Sequence, residues 1–146
     1  MSSALLPLLA ALFAGVTSAG ELCSIQFDNG ASLILPVARS AEDQRVGLMG
    51  RTDPGPGLIF VWPAPVLKAV WMKDTPSPLT AAFVAGDGRI QSVQDMQPDS
   101  LTAHSSLRPV IGVIEVPQGE LAKLGIGRDT YVVSAPCLPL STREVP

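Results

Sequence analysis

The chain has 146 residues, with 13 acidic and ten basic side chains and a net charge of −3. This length suits one domain. The basic residues form neither a stripe that would neutralise phosphates nor a basic amphipathic helix, so we expect no nucleic-acid partner and no binding to membrane surfaces.

The N-terminal segment predicts a secretory signal peptide. It has no charged side chain, and its apolar run from Leu5 to Val16 is too short to span a bilayer. Small residues at Thr17, Ser18 and Ala19 suit cleavage after Ala19. Because no Lys or Arg lies near Met1, a buried N-terminal helix is the alternative. We expect a signal peptide over 1–19, a single β-rich domain over 20–136 and a C-terminal tail over 137–146.

Apolar runs between turn signals predict about eight short strands. In chain order these are Leu22–Phe27, Ala31–Val37, Leu58–Trp62, Val66–Met72, Leu79–Ala85, Arg89–Met96, Val110–Val116 and Thr130–Ser134. Two short helices, Ala41–Met49 and Glu120–Leu124, are also predicted, the first with Ser40 as its N-cap. The pattern favours a mainly β (α+β) domain with a compact, rolled or barrel-like, mostly antiparallel sheet.

The two cysteines, Cys23 and Cys137, lie near the two ends of the exported chain. An oxidising compartment and an even count indicate a disulfide, with two separate thiols as the alternative. Lipidation of Cys23 is excluded, because Glu21 and Leu22 replace the small residues that must precede a lipidated cysteine. We therefore expect a periplasmic or secreted monomer without a transmembrane segment in the mature chain.

Catalytic and metal motifs are scarce. The single histidine, His104, lies outside any triad context, and it cannot build a three-ligand zinc site with bridged cysteines. Met49, Met72 and Met96 are better explained by core packing, although Cu(I) handling is an alternative. We expect no metal and no cofactor, and we leave open whether the protein is an enzyme.

The stretch from Trp71 to Pro78 predicts a rigid pocket wall. Two prolines restrict its backbone, while an aromatic ring, an amine and a carboxylate stand side by side. The alternative is a buried Trp71, a solvated Lys73 and an Asp74 that only closes a turn. The candidate ligand-binding residues are Arg45, Arg51, Trp71, Lys73, Asp74 and Thr75.

A set of ordered motifs resembles a known family. They are Arg45–Arg51, Gly57–Phe60, Trp71–Leu79, Phe83–Val84, Gly88–Ile90, Met96–Pro98, Val113–Val116 and Gly119. The sequence resembles the domain-of-unknown-function family 192 over Leu22 to Ser134. The resemblance implies one small β-rich domain, often exported or membrane-tethered in bacteria, without an established reaction. The family usually has asparagine at the position of Asp74 and aspartate at that of Thr80.

Three functions follow as hypotheses. The first is a cell-envelope binding or accessory domain for an unknown small-molecule or envelope ligand, with its pocket around Trp71–Thr75. The second is an enzyme on an anionic or glycan substrate, with Asp74 as acid or base and Lys73 as electrostatic stabiliser. A second carboxylate close to Asp74 would favour it, and the candidates are Glu42, Asp95 and Glu115. The third is a Cu(I)-handling protein.

Overall fold

A curled sheet organises the protein, and the computed structural model describes residues 20–142 of it. The predicted signal peptide, residues 1–19, lies outside the described residues. In chain order the elements are β1 (Leu22–Phe27), β2 (Ser32–Ala38), α1 (Ala41–Val46), β3 (Leu58–Val66), β4 (Ala69–Val70), β5 (Leu79–Val84), β6 (Ile90–Met96), β7 (His104–Ser105), β8 (Val110–Pro117), α2 (Glu120–Lys123) and β9 (Val132–Ser134). The mainly β architecture with two short helices is confirmed.

Seven strands form the main sheet in the order β6-β5-β8-β3-β2-β1-β9. Adjacent strands of this sheet are antiparallel except β2 and β3, which run parallel. The two edge strands meet at one end, where Arg89 bridges Tyr131 and the Ile90 N–H donates to the Thr130 carbonyl at 2.8 Å. The predicted rolled sheet is thus a half-barrel whose two edges partly close on each other.

Each face of the sheet carries an apolar core, because successive strand residues point to opposite sides. The first core includes Ile25, Ile59 and Ile114, while the second includes Phe60 and Val113. The cleft described below lies beside the second core.

The disulfide between Cys23 and Cys137 is present, with 5.8 Å between the two Cα atoms, which confirms the predicted pairing. It joins β1 to the segment that follows β9. Cys137 and Leu138 are buried in the first core, so this segment packs against the sheet.

Two predicted elements differ from the structure. The strand predicted over Val66–Met72 is wrong, because β3 continues past Trp62 to Val66 and β4 contains only Ala69–Val70. β4 pairs with β7, a two-residue strand that was not among the predicted strands. The first helix also ends early, at Val46, because Gly47 takes a φ of +47°. Its N-cap is confirmed by the Asp43 N–H, which donates to Ser40 Oγ at 3.0 Å.

Within residues 20–142, no helix has both the length and the apolarity that a bilayer crossing requires.

Candidate ligand-binding cleft

A cleft of about 420 Å³ opens beside the second core. Its walls come from three parts of the chain: α1 with the turn after it, the middle of β3, and the stretch from Lys68 to Thr75. β8 contributes one residue, Glu115. The volume lies in the range of small-molecule sites, which are usually 300–1,000 Å³.

The structure brings four of the six predicted binding residues to this cleft. Arg45, Trp71, Lys73 and Thr75 line it. The other two, Arg51 and Asp74, are exposed and do not belong to its lining. Their backbone carbonyls accept hydrogen bonds instead, that of Arg51 from the Ser77 hydroxyl and that of Asp74 from the Gly50 N–H.

The wall that includes Trp71 and Lys73 is tied to two neighbouring loops. The Met72 N–H donates to the Ser100 carbonyl at 3.0 Å, and the Gly50 N–H donates to the Asp74 carbonyl at 2.7 Å. Asp74 adopts a φ of +51°, in the left-handed region that asparagine and aspartate tolerate best among residues with a side chain. The hydroxyl of Thr75 donates to the Lys73 carbonyl at 3.0 Å and closes the same turn. These bonds fix the backbone on which Lys73 is mounted.

Two tryptophan–lysine pairs line the cleft. Trp71 is 50% exposed, and the Lys73 Nζ lies 5.6 Å from the centre of its ring. In the second pair the Lys68 Nζ lies 5.2 Å from the centre of the ring of Trp62 on β3. Both distances are within the range of cation–π contacts. Because half of Trp71 faces solvent, it is not a core residue.

Trp62 is held in place from behind. Its ring stacks on Phe60, with 6.4 Å between ring centres and 7° between ring planes. Its indole N–H donates to the Gln44 side-chain oxygen at 3.2 Å, and the Gln44 amide donates to the carbonyls of Ala38 and Val61. Gln44 therefore positions the ring and fastens α1 to β3. The sequence prediction missed Trp62, Lys68 and Gln44, although the Trp62 to Lys68 stretch repeats the proline-rich, aromatic and basic composition of the Trp71 stretch.

Arg45 contributes less positive charge than its position suggests. Its guanidinium makes two hydrogen bonds to the Glu42 carboxylate, at 2.7 and 3.0 Å. This pair is exposed, and the neighbouring guanidinium lowers the pKa of Glu42. The amines of Lys68 and Lys73, by contrast, have no carboxylate partner in the part of the chain that the structure describes.

Of the three carboxylates considered as a catalytic partner of Asp74, only Glu115 lines the cleft. Glu42 is paired with Arg45. Asp95 accepts a hydrogen bond from the hydroxyl of Thr80 at 2.8 Å.

Glu115 is buried, with 4% of its surface exposed, and burial raises the pKa of its carboxyl group to about 7. Its neighbours across the sheet are Leu58 on β3 and Ala81 on β5, both apolar. The chain approaches it closely at Gly57, where a Cβ atom would lie 2.1 Å from the Glu115 carbonyl oxygen and where φ is +110°. Only glycine fits there without displacing β3 from β8. The desolvation that raises the pKa thus follows from the packing of three strands.

The described residues offer no cluster of side chains suited to metal coordination. Residues 20–142 contain no group of three or more His, Cys, Asp or Glu side chains that could hold an ion. Met72 and Met96 are buried in the second core, where they pack as apolar side chains, while Met49 lines the cleft. His104 lies in β7, with its Nδ1 3.1 Å from the Gln94 side-chain oxygen.

A model of a known protein family matches most of the chain. The family model of DUF192, described as "Uncharacterized ACR", matches residues 24–133. The chain belongs to the DUF192 family. No curated protein matches the sequence. The predicted resemblance is confirmed over most of the domain, and it brings no reaction with it.

Two crystal structures resemble this DUF192 chain. One, from Sinorhizobium meliloti, is provisionally titled a transcription regulator; it is 26% identical, has a TM-score of 0.71, and the match covers 81% of this chain and 95% of that one. The other, from Novosphingobium aromaticivorans, is a protein of unknown function; it is 29% identical, has a TM-score of 0.68, and the match covers 77% of this chain and 84% of that one. Both likenesses extend over most of the half-barrel.

Proposed function

We propose that this DUF192 protein is a non-enzymatic binding domain of the cell envelope, and that its cleft takes a small ligand with a flat apolar face and a negative charge. The observation that carries the proposal is the pair of tryptophan–lysine contacts on one cleft. Each indole offers a broad apolar surface, and each amine, on a flexible stem, offers a positive charge without a carboxylate partner. Two such pairs at one cleft match a ligand that combines both properties.

Nucleic acid is a poor fit to this chain, despite the name of the Sinorhizobium meliloti neighbour. The net charge is −3, and four of the basic side chains are paired with carboxylates: Arg39, Arg45, Arg89 and Lys123. Binding to a phosphate backbone draws on clustered, unpaired cations. We therefore keep the small ligand as the proposed partner.

Export remains part of the proposal. The disulfide supports it, because bridges of this kind persist in oxidising compartments. In a bacterial host we expect the mature protein to begin at Gly20, with domain boundaries as predicted above. Intact-mass analysis of the periplasmic or secreted fraction measures this directly. A protein recovered with Met1 still attached would contradict it.

We expect Lys73→Ala to weaken binding of an anionic ligand and to leave the fold nearly unchanged. An exposed charge contributes at most about 1 kcal/mol to stability, whereas a charge in the cleft attracts the ligand directly. Benzoate is the probe and benzamide its neutral counterpart, with binding followed by titration calorimetry. Lys123→Ala is the matched control, since this lysine is also exposed but lies on α2, away from the cleft.

Loss of benzoate affinity in Lys73→Ala but not in Lys123→Ala would support the proposal. Equal affinity of the wild type for benzoate and benzamide would count against the role of charge. If Lys73→Ala instead lowered the free energy of unfolding by several kcal/mol, the Trp71 stretch would be a structural clamp and not a binding wall.

A second candidate function is an enzyme that acts on an anionic or glycan substrate. Glu115 favours it, because a general acid or base works best with a pKa near the operating pH and this carboxyl group has a pKa of about 7. Lys73 would remain the electrostatic stabiliser, but the acid–base role proposed for Asp74 would pass to Glu115. Release of a reducing sugar from an acidic glycan, lost in Glu115→Gln, would support the enzyme over the binding domain.

A further inference from the structure

Glu115 is the exception among the buried polar side chains. The other four in the described chain, Thr75, Ser77, Thr80 and Gln91, all make hydrogen bonds. No hydrogen bond or ion pair from residues 20–142 reaches the Glu115 carboxyl group, although the residue is buried and lines the cleft. Among the described residues every fully buried side-chain oxygen has a hydrogen-bond partner, so the carboxyl oxygens of Glu115 open onto the cleft. A molecule that fills the cleft and excludes water must therefore supply a donor to this group, because a carboxyl group left without one is costly.

We infer that the Glu115 carboxyl group accepts a hydrogen bond from a hydroxyl group of the ligand, and that this ligand is a uronic acid unit, either free or at the end of an acidic glycan. The inference rests on the proposed function and narrows its ligand class. It assigns one part of the ligand to each chemical feature of the cleft.

Each feature selects a part of such a molecule. The C–H face of a pyranose ring is flat and apolar and stacks on an indole such as that of Trp71. The ring carboxylate is attracted by the amines of Lys73 and Lys68. A ring hydroxyl then donates to a carboxyl oxygen of Glu115, which can accept a hydrogen bond in either protonation state of the group.

An ammonium group is the less suitable donor to Glu115. A cationic ligand would also face the amines of Lys68 and Lys73 and the guanidinium of Arg45, all of which line the same cleft. Like charges at short range oppose binding. A hydroxyl group satisfies the carboxyl group without this repulsion.

The test uses three matched probes in titration calorimetry with the full-length mature protein. Methyl β-D-glucuronoside has the ring, the carboxylate and the hydroxyls. Tetrahydropyran-2-carboxylate keeps the ring and the carboxylate but lacks hydroxyls, and methyl β-D-glucoside lacks the carboxylate. We expect the glucuronoside to bind about tenfold more tightly than the tetrahydropyran acid, because only the former can donate a hydrogen bond to the buried Glu115 carboxyl group.

Two variants locate the preference at Glu115. Glu115→Met has similar length but no acceptor, and it should reduce the ratio between the two acids to about one. Glu115→Gln keeps a neutral acceptor and should retain part of the ratio. Thermal melting checks that both variants fold, and the Gln variant keeps the test decisive if the Met variant does not.

Two failures can be told apart. Equal affinity of the wild type for the two acids would contradict the inference, and so would an unchanged affinity ratio in Glu115→Met. The proposed function would still be supported if both acids bound in a Lys73-dependent way. If neither acid binds in a Lys73-dependent way, the proposed function falls as well. If the inference holds, a tetrasaccharide with a terminal glucuronate distinguishes the two sources of the uronic acid. Tighter binding of the tetrasaccharide than of the glucuronoside would assign the ligand to the end of a glycan. Weaker binding would assign it to the free acid.

Discussion

Removing the disulfide by Cys23→Ala and Cys137→Ala should lower the free energy of unfolding by roughly 4 to 5 kcal/mol. The bridge closes a loop of 114 residues, so it restricts the unfolded chain strongly in the chain-entropy account. Because typical domains are stable by only 5–15 kcal/mol, this loss is a large fraction of the total. Denaturant unfolding followed by tryptophan fluorescence measures it.

A double-mutant cycle provides the control. Either single variant already breaks the bridge, so each should lose about as much stability as the double variant. Wild-type protein unfolded in the presence of a reductant should match all three. Single-variant losses that add up to the double-variant loss would show that the cysteines act only as buried apolar side chains and that the bridge contributes little.

Stability should fall as the pH rises from about 4.5 to 7, because of Glu115. Its pKa is about 7 in the folded protein and 4.5 in the reference state, so within this range the unfolded chain releases a proton that the folded chain retains. Ionisation therefore favours unfolding, and the full penalty is present above pH 7. A difference of this size corresponds to about 3 kcal/mol. Below pH 4.5 the group is protonated in both states and the penalty disappears.

Glu115→Gln should remove this component of the pH dependence, since an amide of the same shape does not ionise. We expect the variant to be more stable than the wild type at pH 8 and close to it at pH 4. Glu120→Gln, which changes a surface carboxylate paired with Lys123, should keep the wild-type slope. An unchanged slope in Glu115→Gln would mean that the carboxyl group is ionised and stabilised in the folded state.

A buried carboxyl group that lowers the free energy of unfolding at neutral pH is typical of functional sites, because such sites retain groups that serve chemistry or binding at a cost in stability. Elsewhere in residues 20–142 the buried polar side chains make hydrogen bonds, and the buried apolar side chains pack in two cores. The contrast singles out the cleft from the remainder of the described surface.

Local chemistry in the sequence determined most of the framework. Ser40 predicted the start of α1 and the even number of cysteines predicted the bridge, and both are confirmed. Each depends on a few neighbouring residues or on the compartment. Local backbone preferences, caps and a covalent bond can therefore be read before any tertiary contact is known.

The cleft was decided by the tertiary structure. Trp62, Lys68 and Glu115 come from separate strands or connections, and their meeting depends on β3 pairing with β8 and on β4 pairing with β7. The short β4 pairing is set by a distant segment and not by the propensity of its own residues, which is why the longer predicted strand failed. Side chains alternate between the two faces along β8, so Glu115 lies on the face opposite its neighbours Ile114 and Val116, which belong to the first core. This alternation does not predict which face of the sheet is left partly open. Only the assembled half-barrel buries Glu115 without a donor from residues 20–142 and leaves Arg51 and Asp74 outside the cleft lining, because burial and access are properties of all the packed strands together.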